Sequence, residues 1–247
     1  VDKLFFAGIV DASMIVDYGC ADGALLRAYH RMFPSATLIG YDQDPDMISY
    51  AQKDIKAEPS YPNLDLIRFT HDWEWVWGET HVWPGKRAVV LSSVLHEIYS
   101  YLMPEDIVAF GNSLWNGPFD YVVIRDMMVS ETVDRPSNSE DVARVRQVLG
   151  QKMVSEWEAL WGPITRNRSL LHLLLTYRYT DNWTREIQEN YLPFNLEGFM
   201  SDIPKYYRPI YFEHYTLPFV RETVKSDLDI TITDRTHVKI VFERRRV

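Results

Sequence analysis

One histidine and several carboxylates fall at the ends of apolar runs, where a strand would hold a side chain at an open edge. Ser92-Ser93-Val94-Leu95-His96-Glu97 closes the run that starts at Arg87. An imidazole with a pKa of about 6.5 can take a proton from an acceptor at neutral pH, so His96 is a candidate general base. The plainer reading is a histidine that packs or hydrogen-bonds at a rim. Glu97 either orients that ring or faces water. Arg125-Asp126 follows the run Tyr121-Val122-Val123-Ile124. The pair can bind a carboxylate or phosphate, position a substrate hydroxyl, or form a salt bridge. Asp42 ends another run, and an acidic residue there can accept hydrogen bonds from ribose hydroxyls or cap a helix. Asp42 to Asp46 looks superficially like a calcium loop. Its sixth position is Met47 and its twelfth is Lys53, where glycine and glutamate are needed. His71, His81, His96 and Glu97 show no tight ligand spacing, and Cys20 is the only cysteine, so no metal site is expected.

These residues need a scaffold that sets strand ends side by side. Met14 to Tyr18 reads as a first strand, followed by a turn of the form D-x-G-x-x-x-G from Asp17 to Gly23. Gly19 lets the backbone turn sharply and approach a ligand, and Gly23 stands where a helix begins and its N–H groups are free. Helical spacing runs from Ala24 to Phe33 and ends at Pro34. Thr37 to Asp42 is a second strand. Asp44-Pro45 then opens a helix to about Ala57, with a capping residue before a first-turn proline. Glu58 to Asn63 is a loop and Leu64 to Phe69 a third strand, followed by Asp72 and Trp73. The tryptophan-rich stretch Glu74 to Gly85 has no clear period. Arg87 to Val94 is almost continuously apolar, as a buried parallel strand should be. A helix opens at Pro104 and a fifth strand covers Tyr121 to Ile124. Alternation of this kind predicts a doubly wound parallel sheet. Residues 137–203 read as mainly helical, and strands return near 209–217 and 236–242.

Composition sets the outer limits. Hydrophobic residues make up 46% of the 247 and charged residues 25%, enough apolar material for a sizeable core. A formal net charge of -9 argues against non-specific binding to a nucleic-acid backbone, without excluding a local basic groove. No apolar stretch is long enough to span a membrane. One cysteine suits a reducing compartment, so a cytoplasmic location is expected. The start at Val1 suggests a domain cut from a longer chain.

The stretch Asp17 to Gly23 resembles motif I of the class I S-adenosylmethionine (SAM) dependent methyltransferases, and the order of strands and helices is similar to that family's plan. The resemblance covers most of residues 13–126 and 209–243. It implies an α/β fold with a mostly parallel seven-stranded sheet, an antiparallel last strand, and a helical insertion before the last two strands. The expected division is a SAM-binding core over 1–130, a mainly helical insertion or substrate lid over 131–205, and two closing strands over 206–247.

In such a protein Asp17 would act through the loop or a water, and the backbone of Gly19, Cys20, Ala21 and Gly23 would hold the methionine part of SAM. Asp42, with Gln43 beside it, would take the ribose. Asp72 would accept from the adenine amino group, and Trp73 would pack on the ring or in the core. Ser92 to Glu97 resembles motif IV, so Ser92 and Ser93 would contact the cofactor, with His96, Glu97, Arg125 and Asp126 on the acceptor side. The Asn/Asp-Pro-Pro-aromatic pattern of amino-group DNA and protein-glutamine methyltransferases is missing, and so is the Glu-x-x-Glu-His-His metal motif of RNA-end methyltransferases. The implied activity is methyl transfer to an oxygen or nitrogen. A small-molecule acceptor is preferred over RNA or an RNA cap. Arg166, Arg168, Arg178 and Arg185 in the insertion speak for RNA, and the acidic balance and the aromatic insertion speak for the small molecule. A SAM-binding scaffold without activity is the remaining alternative.

Overall fold

The computed structural model describes residues 2–56 and 64–245. Seven strands form one sheet: β1 Met14–Tyr18, β2 Thr37–Tyr41, β3 Ile67–Thr70, β4 Arg87–Ser92, β5 Tyr121–Met127, β6 Tyr207–Tyr215 and β7 His237–Arg244. Their order is β3-β2-β1-β4-β5-β7-β6. The pairs among β1 to β5 are parallel, and β7 runs antiparallel to both of its neighbours. The chain moves outward from β1 to β3, then returns to the other side of β1 with β4. That reversal leaves a crevice over the carboxyl ends of β1 and β4.

The crossover helices α1 Ala24–Met32 and α2 Pro45–Lys56 cover one face, where Leu26, Tyr29 and Ile48 pack on Ile15, Leu38 and Val90. Helices α3 Trp73–Val82, α4 Leu95–Tyr101 and α5 Pro104–Asn116 cover the other, with Val76, Ile98 and Leu114 on Val16, Ile39 and Leu91. Burial on both sides explains why the central strands are continuously apolar. Between β5 and β6 the chain is helical, in α6 Ser139–Trp161, α7 Asn167–Thr176, α8 Trp183–Glu186 and α9 Leu196–Ser201. A third apolar cluster, built on Trp157, Leu170 and Leu173, joins this region to the end of β5. The same cluster takes in Val224 and Leu228 of α10 Pro218–Leu228.

Several boundaries differ from the sequence reading, among them the end of the fourth strand, read to Val94 and found at Ser92. The stretch after Asp72 is helix α3. Trp73, Trp75, Val76 and Trp77 crowd the first turns with apolar side chains and hide its period, while the Asp72 carboxylate accepts from the Trp75 N–H at 3.0 Å and caps the first turn. Residues Leu64–Leu66 form a 3-10 turn, and β3 starts only at Ile67. The expected loop Glu58 to Asn63 lies outside the described residues. Most consequential for the site, Arg125 and Asp126 do not follow β5 but belong to it, in register with Lys239 and Val238 of β7. Pairing with the antiparallel last strand keeps the backbone extended past the point where the apolar run stops.

Candidate active site

The turn after β1 folds over the end of β2. The N–H groups of Gly19 and Cys20 donate to the Tyr41 carbonyl at 2.8 and 2.9 Å. Gly19 has φ +75°, and a Cβ there would stand 2.6 Å from Val94 Cγ2. Both backbone conformation and space therefore demand glycine. The Asp42 carboxylate closes the turn from the other side, accepting from the Ala21 N–H at 2.8 Å and the Asp44 N–H at 3.0 Å. Asp42 is half-buried and Gln43 exposed beside it. Cys20 is buried, and burial raises its thiol pKa far above the ordinary range, which disfavours the thiolate.

Asp17 is 2% exposed at the end of β1, and its Oδ2 lacks a hydrogen-bond partner. Burial pushes its carboxyl up to about 7; Lys3 opposes the rise and Asp42 adds to it. The Ser92 hydroxyl, buried at the end of β4, also lacks a partner. Two orphaned acceptors at adjacent strand ends fit a ligand that brings donors and positive charge, as the amino-acid part of SAM does. In the ligand-free protein Asp17 stays protonated where the unfolded chain has already lost that proton. Stability should therefore fall as pH rises from about 5 to 7, by on the order of 1 kcal/mol per pH unit. Asp17→Asn should flatten that slope in urea titrations, and an unchanged slope would refute the assignment.

Asp72, expected to accept from an adenine amino group, is spent as the α3 cap through one oxygen and is otherwise exposed. Trp73 packs with the rings of Tyr18 and Tyr41, at centroid distances of 4.9 and 5.0 Å. A cleft of about 80 Å³ remains between Gly19, Asp42 and the α4 residues Glu97, Ile98 and Tyr101.

His96 is held from below. It is buried on the first turn of α4, and its Nδ1 lies 2.8 Å from Asp126 Oδ1. Asp126 Oδ2 accepts from the Val94 and Leu95 N–H groups at 2.9 and 2.7 Å, so a β5 side chain supplies the helix cap that Val94 cannot. Burial alone would raise the Asp126 carboxyl; His96 and the backbone donors outweigh it and hold it below the usual range. The ionised carboxylate requires Nδ1 to donate, which leaves Nε2 as the basic nitrogen. Burial likewise lowers His96, but Asp126 overcomes it and the ring pKa ends above its ordinary value. Asp126, not Glu97, is thus the residue that orients His96.

Alternation along β5 separates the neighbours Arg125 and Asp126. Arg125 donates to the Asp2 carboxylate at 3.0 Å and to the Ser93 hydroxyl at 2.8 Å. Ser93 itself turns the chain with φ +61°, its N–H on the Arg125 carbonyl at 2.7 Å. A non-glycine residue in that region carries strain on the order of 1–3 kcal/mol, which the flanking bonds must hold.

A cavity of about 400 Å³ opens above His96 between the sheet edge, α7 and α10. Glu189, 2% exposed, reaches it from the insertion, with Oε2 3.9 Å from His96 Nε2. Its Oε1 accepts from the Tyr101 hydroxyl at 2.7 Å and from Arg185 at 3.1 Å. Arg185 also lies 3.7 Å from Glu97, and the Tyr191 ring stands edge-on to His96 at 5.1 Å. Sequence reasoning missed Glu189 and Tyr101, because no motif or spacing links them to His96. His71 and His81 lie on exposed positions of the α3 region and do not join this group. Arg168 and Arg178 of the insertion are paired with Asp134 and Asp227. Among the described residues no helix is long and apolar enough to cross a membrane.

No protein-family model matches the sequence, and no curated protein matches it. Solved structures do match in fold. The methyltransferase domain of bacterial CtHen1-C superposes with a TM-score of 0.52 at 13% identity, over 99% of this chain and 95% of that one. PKMT2 from Rickettsia typhi, in complex with AdoHcy, gives 0.52 at 13% identity over 95% of this chain and 49% of its own. The mitomycin 7-O-methyltransferase MmcR gives 0.51 at 13% identity over 98% of this chain and 53% of its own. The chain spans about half the length of the last two. What it shares with all three is the class I methyltransferase fold, as the strand order already indicated.

Proposed function

We propose, from a chain with the class I methyltransferase fold, that it transfers a methyl group from SAM to an oxygen or nitrogen of a small-molecule acceptor. The observation that carries this reading is the alignment of two sites along one sheet edge. Asp17 Oδ2 and the Ser92 hydroxyl, both without a hydrogen-bond partner, would serve the donor, and the half-open cavity above His96 would take the acceptor. SAM, when bound, supplies a methyl group already activated as a sulfonium. The chain has to bind it, place the acceptor in line, and take a proton where the nucleophile must lose one.

Asp42 would take the ribose hydroxyls through the oxygen lone pairs its backbone donors leave free, with Gln43 on the same rim. Asp17, Ser92 and the Gly19–Gly23 backbone would hold the amino-acid part, and Asp72 with Trp73 would flank the adenine. His96 would act as general base through Nε2, held by Asp126. The helical segment 131–205 would cover the acceptor. A cavity of about 400 Å³ falls in the range of small-ligand pockets, which favours such an acceptor over RNA.

Calorimetric titration with SAM or S-adenosylhomocysteine tests the reading. Saturable one-to-one binding is expected, with Asp42→Ala weakening it on the order of tenfold through the lost ribose contacts. No heat at high micromolar concentration would sink it.

A further inference from the structure

Two hydrogen-bond acceptors face each other across the cavity wall. Asp126 accepts a hydrogen bond from the Nδ1–H of His96, which leaves a lone pair on Nε2. Opposite stands Glu189 Oε2 at 3.9 Å, too far for the two to bond directly. An atom at about 2.8 Å from each can satisfy both, provided it brings two donors. A hydroxyl has one O–H and leaves one acceptor unsatisfied. An ammonium nitrogen serves both.

Charge leads the same way. His96, Glu97 and Glu189 each place an atom within 4.8 Å of the others. Arg185 is the guanidinium that faces the two glutamates. The other arginines lining the cavity are committed elsewhere, Arg125 to Asp2 and Arg178 to Asp227. Among the described residues the cavity thus offers negative charge beside His96 and no uncommitted arginine for an anionic acceptor.

We propose that the methyl acceptor is an amine, bound as its ammonium ion between His96 Nε2 and Glu189 Oε2, with an apolar remainder along Leu174, Leu175, Phe219 and Val220. The proposal rests on the methyltransferase reading and names its substrate class. The ammonium gives one proton to His96 Nε2 and so exposes the nitrogen lone pair. That nitrogen forms the N–C bond as the C–S bond of the sulfonium breaks, both electrons of the broken bond staying on sulfur. The methylated nitrogen then carries the positive charge, and the proton on His96 leaves to solvent.

The test is calorimetry on the full chain saturated with S-adenosylhomocysteine, using 2-phenylethylamine, its isostere 2-phenylethanol, and Mn²⁺ as separate titrants at about pH 8, because the His96 pKa lies above its ordinary value. The amine should bind on the order of tenfold tighter than the alcohol, and Glu189→Gln should remove most of that preference. Glu97→Gln, on a more exposed side chain, should shrink it about threefold and serves if the buried variant does not fold. Equal or tighter binding of the alcohol overturns the proposal. So does absence of amine binding up to about 10 mM, or a preference that survives both variants. A one-to-one Mn²⁺ site that the amine cannot displace overturns it in favour of a metal. If S-adenosylhomocysteine itself does not bind, the methyltransferase reading falls; if it binds and the amine is not preferred, only the present proposal does.

Discussion

His96→Gln is expected to lower methyl-transfer turnover by about 10²–10⁴-fold, the range for loss of a positioned general base. Affinity for S-adenosylhomocysteine should stay within about twofold, because His96 lines the cavity of about 400 Å³, which neither Asp17 nor Ser92 lines. The pH profile separates a base from a packing residue. Burial disfavours the charged ring, but Asp126 outweighs it and holds the pKa above the ordinary histidine value. Since only the neutral ring accepts a proton, the wild-type rate should climb with pH through a midpoint above about 6.5. The variant should lose that limb. Turnover that is unchanged in the variant between pH 6 and 9 would remove His96 from the role.

Asp126→Ala should destabilise the protein by about 3–5 kcal/mol, the usual consequence of breaking a buried pair from one side. Four donors lose their acceptor at once: the His96 ring and the N–H groups of Val94, Leu95 and Met127. Urea denaturation followed by circular dichroism would measure it. Asp126→Asn separates structure from chemistry. Its oxygen still caps α4, so most stability is kept. If its amide turns toward the ring it donates instead of accepting, the proton of His96 moves to Nε2, and the basic lone pair turns away from the cavity. Activity should then fall about 10²-fold or more in a protein that remains folded. Stability within about 0.5 kcal/mol of wild type in the alanine variant would contradict the capping role.

Much of the site was legible because strand ends announce themselves. Asp17, Asp42 and Ser92 each close an apolar run, and runs buried on both faces can be read without neighbours in view. Arg125 and Asp126 were misplaced by one element boundary, since continuation of β5 depends on pairing with β7, far along the chain. The α3 helix was obscured because tryptophans on several sides erase the contrast on which periodicity depends. Glu189 left no trace at all. Its role comes from where the insertion folds, and nothing about one glutamate in a helical stretch marks it for burial beside a histidine.

Alternating short-range patterns, set by the periods of strand and helix, were enough to determine the sheet and its glycine turn, and hence the edge on which chemistry is possible. The insertion's packing on the end of β5 is a matter of tertiary structure alone. Tertiary closure likewise decided that Asp126 of β5 orients His96 of α4, that Glu189 of the insertion faces it, and that the arginines of the cavity are paired rather than free. Those relations join residues distant in sequence through burial and charge, so they exist only once the chain has closed on itself.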